Sequence, residues 1–277
     1  MTAMAKPIAD RSPSTRPAVI EARDLCAGYG DTQVLFDLDL EVREGEIMVS
    51  MGGSGSGKST LLRLLIGLEL PRAGSLRLLD HDLARLGPID MLELRRKIGV
   101  AFQGGALFSS MTVSENIKLP LREHTKLDER IMDIMARMKL EVVNLSGFGE
   151  LLPSELSGGM LKRAAIARAI VMDPRLLFFD EPSAGLDPIV SAALDELILR
   201  LREAMDMTIV VVTHEVESAF KIADRITILD RGRILEVGTP AEVRGSRNER
   251  IQNMLHRRSA TEALEPAAYL RRLTGQT

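Results

Sequence analysis

The segment Gly52-Gly53-Ser54-Gly55-Ser56-Gly57-Lys58-Ser59-Thr60 constrains this chain more than any other. It fits G-x-x-x-x-G-K-[ST], a loop whose glycines let consecutive backbone N–H groups converge on an anion. In such a loop the lysine reaches the β- and γ-phosphates of a nucleotide, and the hydroxyl after it ligates Mg²⁺. Gly45–Met51 is a short, mostly apolar run that enters the loop as a strand. Leu61 to Ile66 read as the helix that leaves it, so the positive helix end faces the same phosphates. The segment therefore predicts that Gly52 to Thr60 bind a triphosphate, with Lys58 on the phosphates and Ser59 on a metal ion.

Charge and composition restrict what surrounds this loop. The net charge is −3 over 277 residues, and the pI is near 5.9, which argues against a nucleic-acid partner. No apolar run approaches the roughly 20 residues that span a bilayer, so a membrane role must come through a partner. Residues 1–17 are rich in Pro, Ser, Thr and Arg and contain no apolar core of a secretory signal; they read as a disordered tail. Cys26 is the single cysteine, which rules out an internal disulfide and suits a reducing compartment. Between Leu25 and Ala27 it reads as a small buried hydrophobe.

Strands alternate with helices along the chain, which implies a mostly parallel α/β sheet. Val19–Leu25, Asp37–Val42, Leu76–Leu79, Ile98–Phe102, Leu176–Phe179 and Met207–Thr213 read as strands. Met91–Arg96, 188–205 and Glu215–Ala223 read as helices, with Asp187-Pro188 as N-cap and first helical residue. Arg225–Asp230 and Arg233–Val237 read as a closing hairpin, and Thr239-Pro240-Ala241-Glu242 as a capping box. A helical block at about 104–173 is inserted into this pattern. Within it Leu127, Ile131, Ile134, Met135 and Met138 form an amphipathic stripe, expected to be core. Residues 247–277, with six arginines, read as a partly helical C-terminal extension, and 259–277 as a brace on a neighbouring subunit.

Further motifs follow in order. Leu176-Leu177-Phe178-Phe179-Asp180-Glu181 is an apolar strand ending in two acids; Asp180 suits Mg²⁺ and Glu181 suits a general base for water. Gln103 follows a buried strand, where its amide can touch Mg²⁺ or water, and His214 follows another, where it can bond the γ-phosphate. Leu156-Ser157-Gly158-Gly159-Met160 opens a second helix, and Ser157, Gly158 and Gly159 present another set of N–H groups. One nucleotide cannot easily use both anion sites. Two chains packed head-to-tail could, each Ser157 loop closing on the other chain's Lys58 loop.

In this order the motifs over residues 19–243 resemble the ATP-binding subunits of ABC transporters. The resemblance implies a P-loop ATPase core of mostly parallel sheet with antiparallel β elements and an inserted helical subdomain, spanning 18–246. It implies ATP and Mg²⁺ as cofactors, hydrolysis through Glu181, His214, Lys58 and Gln103, and Ser59, Gln103 and Asp180 at the metal. It makes Tyr29 the aromatic that stacks on adenine, Ser183–Asp187 the D-loop and Ser157–Met160 part of the family signature. It places Ala106, Leu107 and Phe108 where a membrane permease subunit docks. The signature usually ends in glutamine, where this chain has Met160. That methionine and the run from Phe102 to Thr125 are similar to the ATPases of Mla/Mce-type lipid transport systems, although some members carry glutamine where this chain has Leu186. The narrower resemblance implies a homodimer held on the inner face of the cytoplasmic membrane by its permease, with a lipid-binding, MCE-type partner. A polar-solute importer would need identical catalytic residues, and a soluble, non-transport ABC ATPase is a third alternative.

Overall fold

A computed structural model describes residues 16–256. The expected tail at 1–17 lies almost wholly outside them, and the proposed brace at 259–277 lies entirely outside. Two sheets are stacked by their sequence patterns. β1 (Ala18–Tyr29), β2 (Thr32–Arg43), β4 (Ala73–Leu78) and β5 (His81–Asp82) form an antiparallel sheet in the order β2-β1-β4-β5. The second sheet runs β10-β9-β3-β8-β7-β6, with β3 (Ile47–Met51), β6 (Ile98–Ala101), β7 (Leu176–Asp180), β8 (Thr208–Thr213) and β9 (Arg225–Asp230) parallel to their neighbours. β10 (Arg233–Gly238) closes that sheet antiparallel to β9.

The central strands β3, β7 and β8 are continuously apolar because both of their faces are covered. Alternate residues feed two cores. Met48, Leu176, Phe178, Val210 and Val212 pack with the antiparallel sheet and with Leu61, Leu64 and Leu65 of α1 (Lys58–Leu65). Ile47, Val49, Leu177, Phe179, Ile209 and Val211 pack on the opposite side. There they meet α3 (Val113–His124), α4 (Glu129–Val142), α5 (Gly158–Ala169) and α6 (Pro188–Met205). α2 (Pro88–Arg95), α7 (Val216–Ile222), α8 (Pro240–Arg244) and α9 (Glu249–Leu255) complete the α-helices of the described residues, and Ile251 of α9 is fully buried in the second core.

Three expectations need correction. β1 and β2 are each 12 residues long and form one hairpin, longer than the alternation suggested. Their pairing shifts register, and Asp24 (φ 47°) and Asp37 (φ 50°) adopt left-handed backbone, so the period of two breaks mid-strand. Cys26 is only half-buried; its Sγ lies 3.4 Å from both the backbone N and the Oδ1 of Asp37 at that irregularity. The stripe on α4 is not core. Leu127, Ile131, Ile134 and Met138 are exposed and Met135 is partly buried, whereas Met132, Ala136 and Leu140 face inward. That inward face packs on the core, and Glu129 and Asp133, on the same side, meet Lys118 of α3 at 2.7 and 2.6 Å.

Candidate nucleotide-binding and catalytic site

Strand register assembles the site. Met51 pairs with Thr213, Asp180 with Val212, and Ala101 with Phe179. The carboxyl ends of β3, β8, β7 and β6 thus lie side by side. In a row along one sheet edge they deliver the Gly52–Thr60 loop, His214, the Asp180–Glu181 pair and Gln103. Open parallel sheets bind ligands at this edge, where the strands end and helix N-termini begin.

The loop needs its glycines at two points in particular. Gly57 has φ 105°, and a Cβ there would come within 2.6 Å of Leu35. A Cβ on Gly52 would meet the Leu229 carbonyl at 2.3 Å and the Ser56 hydroxyl at 2.5 Å. Gly53, Ser54 and Gly55 are exposed, and α1 starts at Lys58 with no side chain capping its first amides. Those amides and the helix end form a positive, open anion cradle. Half-buried Lys58 donates from Nζ to the carbonyls of Gly52 (2.8 Å) and Gly53 (3.0 Å). Burial pushes its pKa down, opposed by the charges of Glu181 and Asp180. Ser59 is exposed and Thr60 is buried, its Oγ1 3.4 Å from the Tyr29 hydroxyl. Tyr29 is itself exposed, and Arg63 Nη1 donates to its hydroxyl at 3.2 Å, with the guanidinium 6.0 Å from the ring centre.

The acidic pair occupies contrasting settings. Asp180 is half-buried, and burial followed by the neighbouring Glu181 raises its pKa, opposed by Lys162, Lys58 and Arg63. Glu181 is buried and has φ 47°, in the left-handed region that side chains seldom occupy. Its Oε2 lies 2.9 Å from His214 Nδ1 and accepts the His214 backbone N–H at 3.2 Å. His214 Nε2 lies 3.4 Å from Glu215 Oε1. Gln103 is exposed just past β6.

Ser157 is the N-cap of α5, and its side chain accepts the Met160 N–H at 3.3 Å. Ser157 and Gly158 are exposed and Gly159 is half-buried against Val190, whose Cγ1 a Cβ would meet at 2.6 Å. Met160 packs against the second core. Of the apolar trio expected at a partner surface, Ala106 and Phe108 are exposed, but Leu107 is partly buried against the same core. Backbone bonding forces that turn: Arg168 donates to the carbonyls of Gly105 (2.9 Å) and Ala106 (2.7 Å), and fully buried Asn116 bonds both backbone groups of Phe108.

Four contacting residues were not singled out from the sequence: Arg63 on Tyr29, Arg168 and Asn116 on the 105–112 loop, and Lys162, whose Nζ donates to the Glu181 carbonyl at 2.9 Å. Asn116 lies inside the Phe102–Thr125 run and Lys162 two residues beyond Met160, which is the only linear signal they give.

The comparisons with known proteins agree with this geometry. The ABC transporter family profile matches residues 35–184. The chain is 41% identical over 237 residues to an intermembrane phospholipid transport system ATP-binding protein, MlaF, of Haemophilus influenzae, covering 86% of this chain and 90% of that one. The MlaF of Escherichia coli K12 is 38% identical over the same length. A probable ribonucleotide transport ATP-binding protein, mkl, of Mycobacterium leprae is 41% identical over 224 residues; the match spans 81% of this chain but only 64% of that protein. Among solved structures, a dimeric ATP-binding cassette in a post-hydrolysis state with ADP and Pi superposes at TM-score 0.73 with 30% identity, over 80% of this chain and 98% of that one. The profile match, the MlaF identities and the row of phosphate loop, acidic pair and histidine at one sheet edge establish that the chain belongs to the ABC transporter family, as an ATP-hydrolysing cassette.

Proposed function

We propose that this chain is the ATP-hydrolysing subunit of an ABC complex that moves phospholipid or another hydrophobic substrate. It works as an ATP-sandwich dimer on the inner face of the cytoplasmic membrane, bound there by permease subunits. An MCE-type lipid-binding protein completes the complex. The observation that carries the catalytic part is the strand register that sets Lys58, Gln103, Asp180, Glu181 and His214 along one edge. The lipid part is supported by the MlaF relatives, whose names specify phospholipid transport, and by the Phe102–Thr125 stretch. Among the described residues no helix is long and apolar enough to cross a membrane, which is consistent with attachment through a partner.

The donor set fits Mg²⁺. Ser59, Gln103 and Asp180 offer hydroxyl, amide and carboxylate oxygens, the hard ligands that ion takes. Among the described residues no three His, Cys, Asp or Glu side chains converge on one point, so the ion would be held jointly with phosphates and water. When bound, it neutralises charge that builds on the phosphate oxygens.

The chain's own residues do the rest. The Gly52–Gly57 amides and the α1 N-terminus hold the phosphates, and Lys58 exchanges the loop carbonyls for the β- and γ-phosphates. Glu181 takes the proton of the attacking water, while His214, already paired with Glu181, steadies it and bonds the γ-phosphate. Tyr29, braced by Thr60 and Arg63, stacks on the base. The partner subunit's glycine-bearing helix tip closes the pocket. Ala106 and Phe108 pass the closure to the permease.

The test is Glu181→Gln. Loss of a general base slows turnover by roughly 100- to 10,000-fold, or about 3–5 kcal/mol of barrier. The variant is expected to bind ATP normally, hydrolyse it at that residual rate and accumulate as an ATP-bound dimer. Wild-type turnover would remove Glu181 from the role. The mycobacterial relative named for ribonucleotide transport favours a second reading, a polar-solute transporter. Lipid, rather than a soluble solute-binding protein, in the complex purified with its permease decides for the first.

A further inference from the structure

Lys162 lies in the second turn of α5, five residues beyond the Ser157 cap. It is not a surface lysine reaching for a carboxylate. It lines a narrow crevice together with Ala101, Phe102, Phe179 and Pro182, and its ammonium donates to the backbone carbonyl of Glu181 at 2.9 Å. That carbonyl also accepts the Ala184 N–H at 3.3 Å, and the Glu181 N–H donates to Val212 at 2.8 Å. These bonds hold Glu181 at φ 47°, a conformation that residues with a Cβ rarely occupy and keep only where the surroundings over-determine it. The side chain leaves this fixed backbone toward His214.

We infer that Lys162 is a positioning residue for hydrolysis: it holds the left-handed backbone that aims the Glu181 carboxylate, and it ties that aim to the position of α5. The inference rests on the reading of Glu181 as the base and of Ser157 as the tip lent to the twin's nucleotide. Under that reading α5 carries two functions at once. Its first residues engage the triphosphate in the opposite site, while its second turn grips the base of its own site. A rigid helix transmits a small shift from one end to the other, so closure on one nucleotide adjusts the water-activating group beside the other. A charged donor to a carbonyl is among the stronger hydrogen bonds, which suits a contact that must hold strain.

Lys162→Met keeps the length and the packing of the stem and removes the donor. The expected result is a kcat lower by roughly 10- to 100-fold, the range lost with one charge-assisted hydrogen bond, with KM for ATP unchanged within about twofold. In the nucleotide-free variant the Glu181 amide is expected to exchange hydrogen faster, with the melting midpoint retained. Lys162→Arg, which restores a donor, should recover most of both kcat and amide protection. If methionine perturbs folding, Lys162→Ala, a strong helix former, carries the same expectation. Wild-type kcat in Lys162→Met, or a loss with Glu181 exchange unchanged, would overturn the inference. Glu181→Gln measured in parallel separates the two levels. An inactive Glu181→Gln beside a normal Lys162→Met rejects only the role of Lys162. An active Glu181→Gln rejects the base itself.

Discussion

The carboxyl edge of the parallel sheet and the outer face of α4 are both rich in signals that a sequence reader uses, yet they behave in opposite ways. At the sheet edge, strands β3, β7 and β8 are apolar at nearly every position and buried on both faces, so nothing about them can rotate. Each strand ends where its neighbour ends, and the polar residues that follow are brought together by register. On α4 the regular apolar stripe through Ile131, Ile134 and Met138 lies in solvent. The inward face is Met132, Ala136 and Leu140, an equally regular i, i+4, i+8 set that packs on the core, with Glu129 and Asp133 on its side paired to α3. The lesson is that periodicity reports an amphipathic helix, while partners on the neighbouring helix decide which stripe is covered.

Substitutions can break or sharpen that contrast. The largest effect is expected inside the sheet: Phe178→Ala removes a fully buried ring and should destabilise the protein by about 3–5 kcal/mol, read from chemical denaturation. Lys58→Ala should leave the fold intact but weaken ATP binding by roughly 100-fold or more, since charge-assisted hydrogen bonds to two phosphates are lost. Unchanged ATP affinity by calorimetry would count against the phosphate-loop assignment. On α4, by contrast, Ile134→Ser or Met138→Ser should change stability by no more than about 0.5 kcal/mol. A cost of several kcal/mol would mean that the stripe is covered after all.

The smallest effect concerns acid. Arg122, then Lys118, holds the Glu129 carboxyl down to about 2, below its usual 4.5. A depressed carboxylate contributes stability above the ordinary value and loses it as pH falls toward the folded one. The gap in melting temperature between wild type and Glu129→Gln should therefore be constant above pH ~5 and close as pH approaches about 2. A gap that widened in acid would put the α3–α4 pairing in doubt.

The placement of most of the candidate site was legible because a phosphate loop leaves little freedom: Gly57, Lys58 and Ser59 follow one another into α1, and Asp180–Glu181 end a buried strand. The residues that brace the site were not legible. Arg63, Arg168 and Lys162 are ordinary helix cations in one dimension, and only the folded backbone shows that they bond Tyr29, the 105–106 carbonyls and Glu181. The fold followed the same division. Strands covered on both faces announced themselves, whereas β1 and β2 were read short because the bulges near Asp24 and Asp37 interrupt their alternation. Leu107 looked like part of an exposed apolar patch, and the bonds from Arg168 and Asn116 fold that loop so that it points inward.

The account depends on two copies closing head-to-tail over ATP, and a cross-link tests this most directly. In a Cys26→Ser, Glu181→Gln background, one copy would carry Ser54→Cys and a second Ser157→Cys, mixed and treated with a short thiol cross-linker. The account requires a product of twice the 30.4 kDa chain mass, formed only when ATP is present and only between the two differently substituted copies. ATP bound at full occupancy without any such product would contradict it.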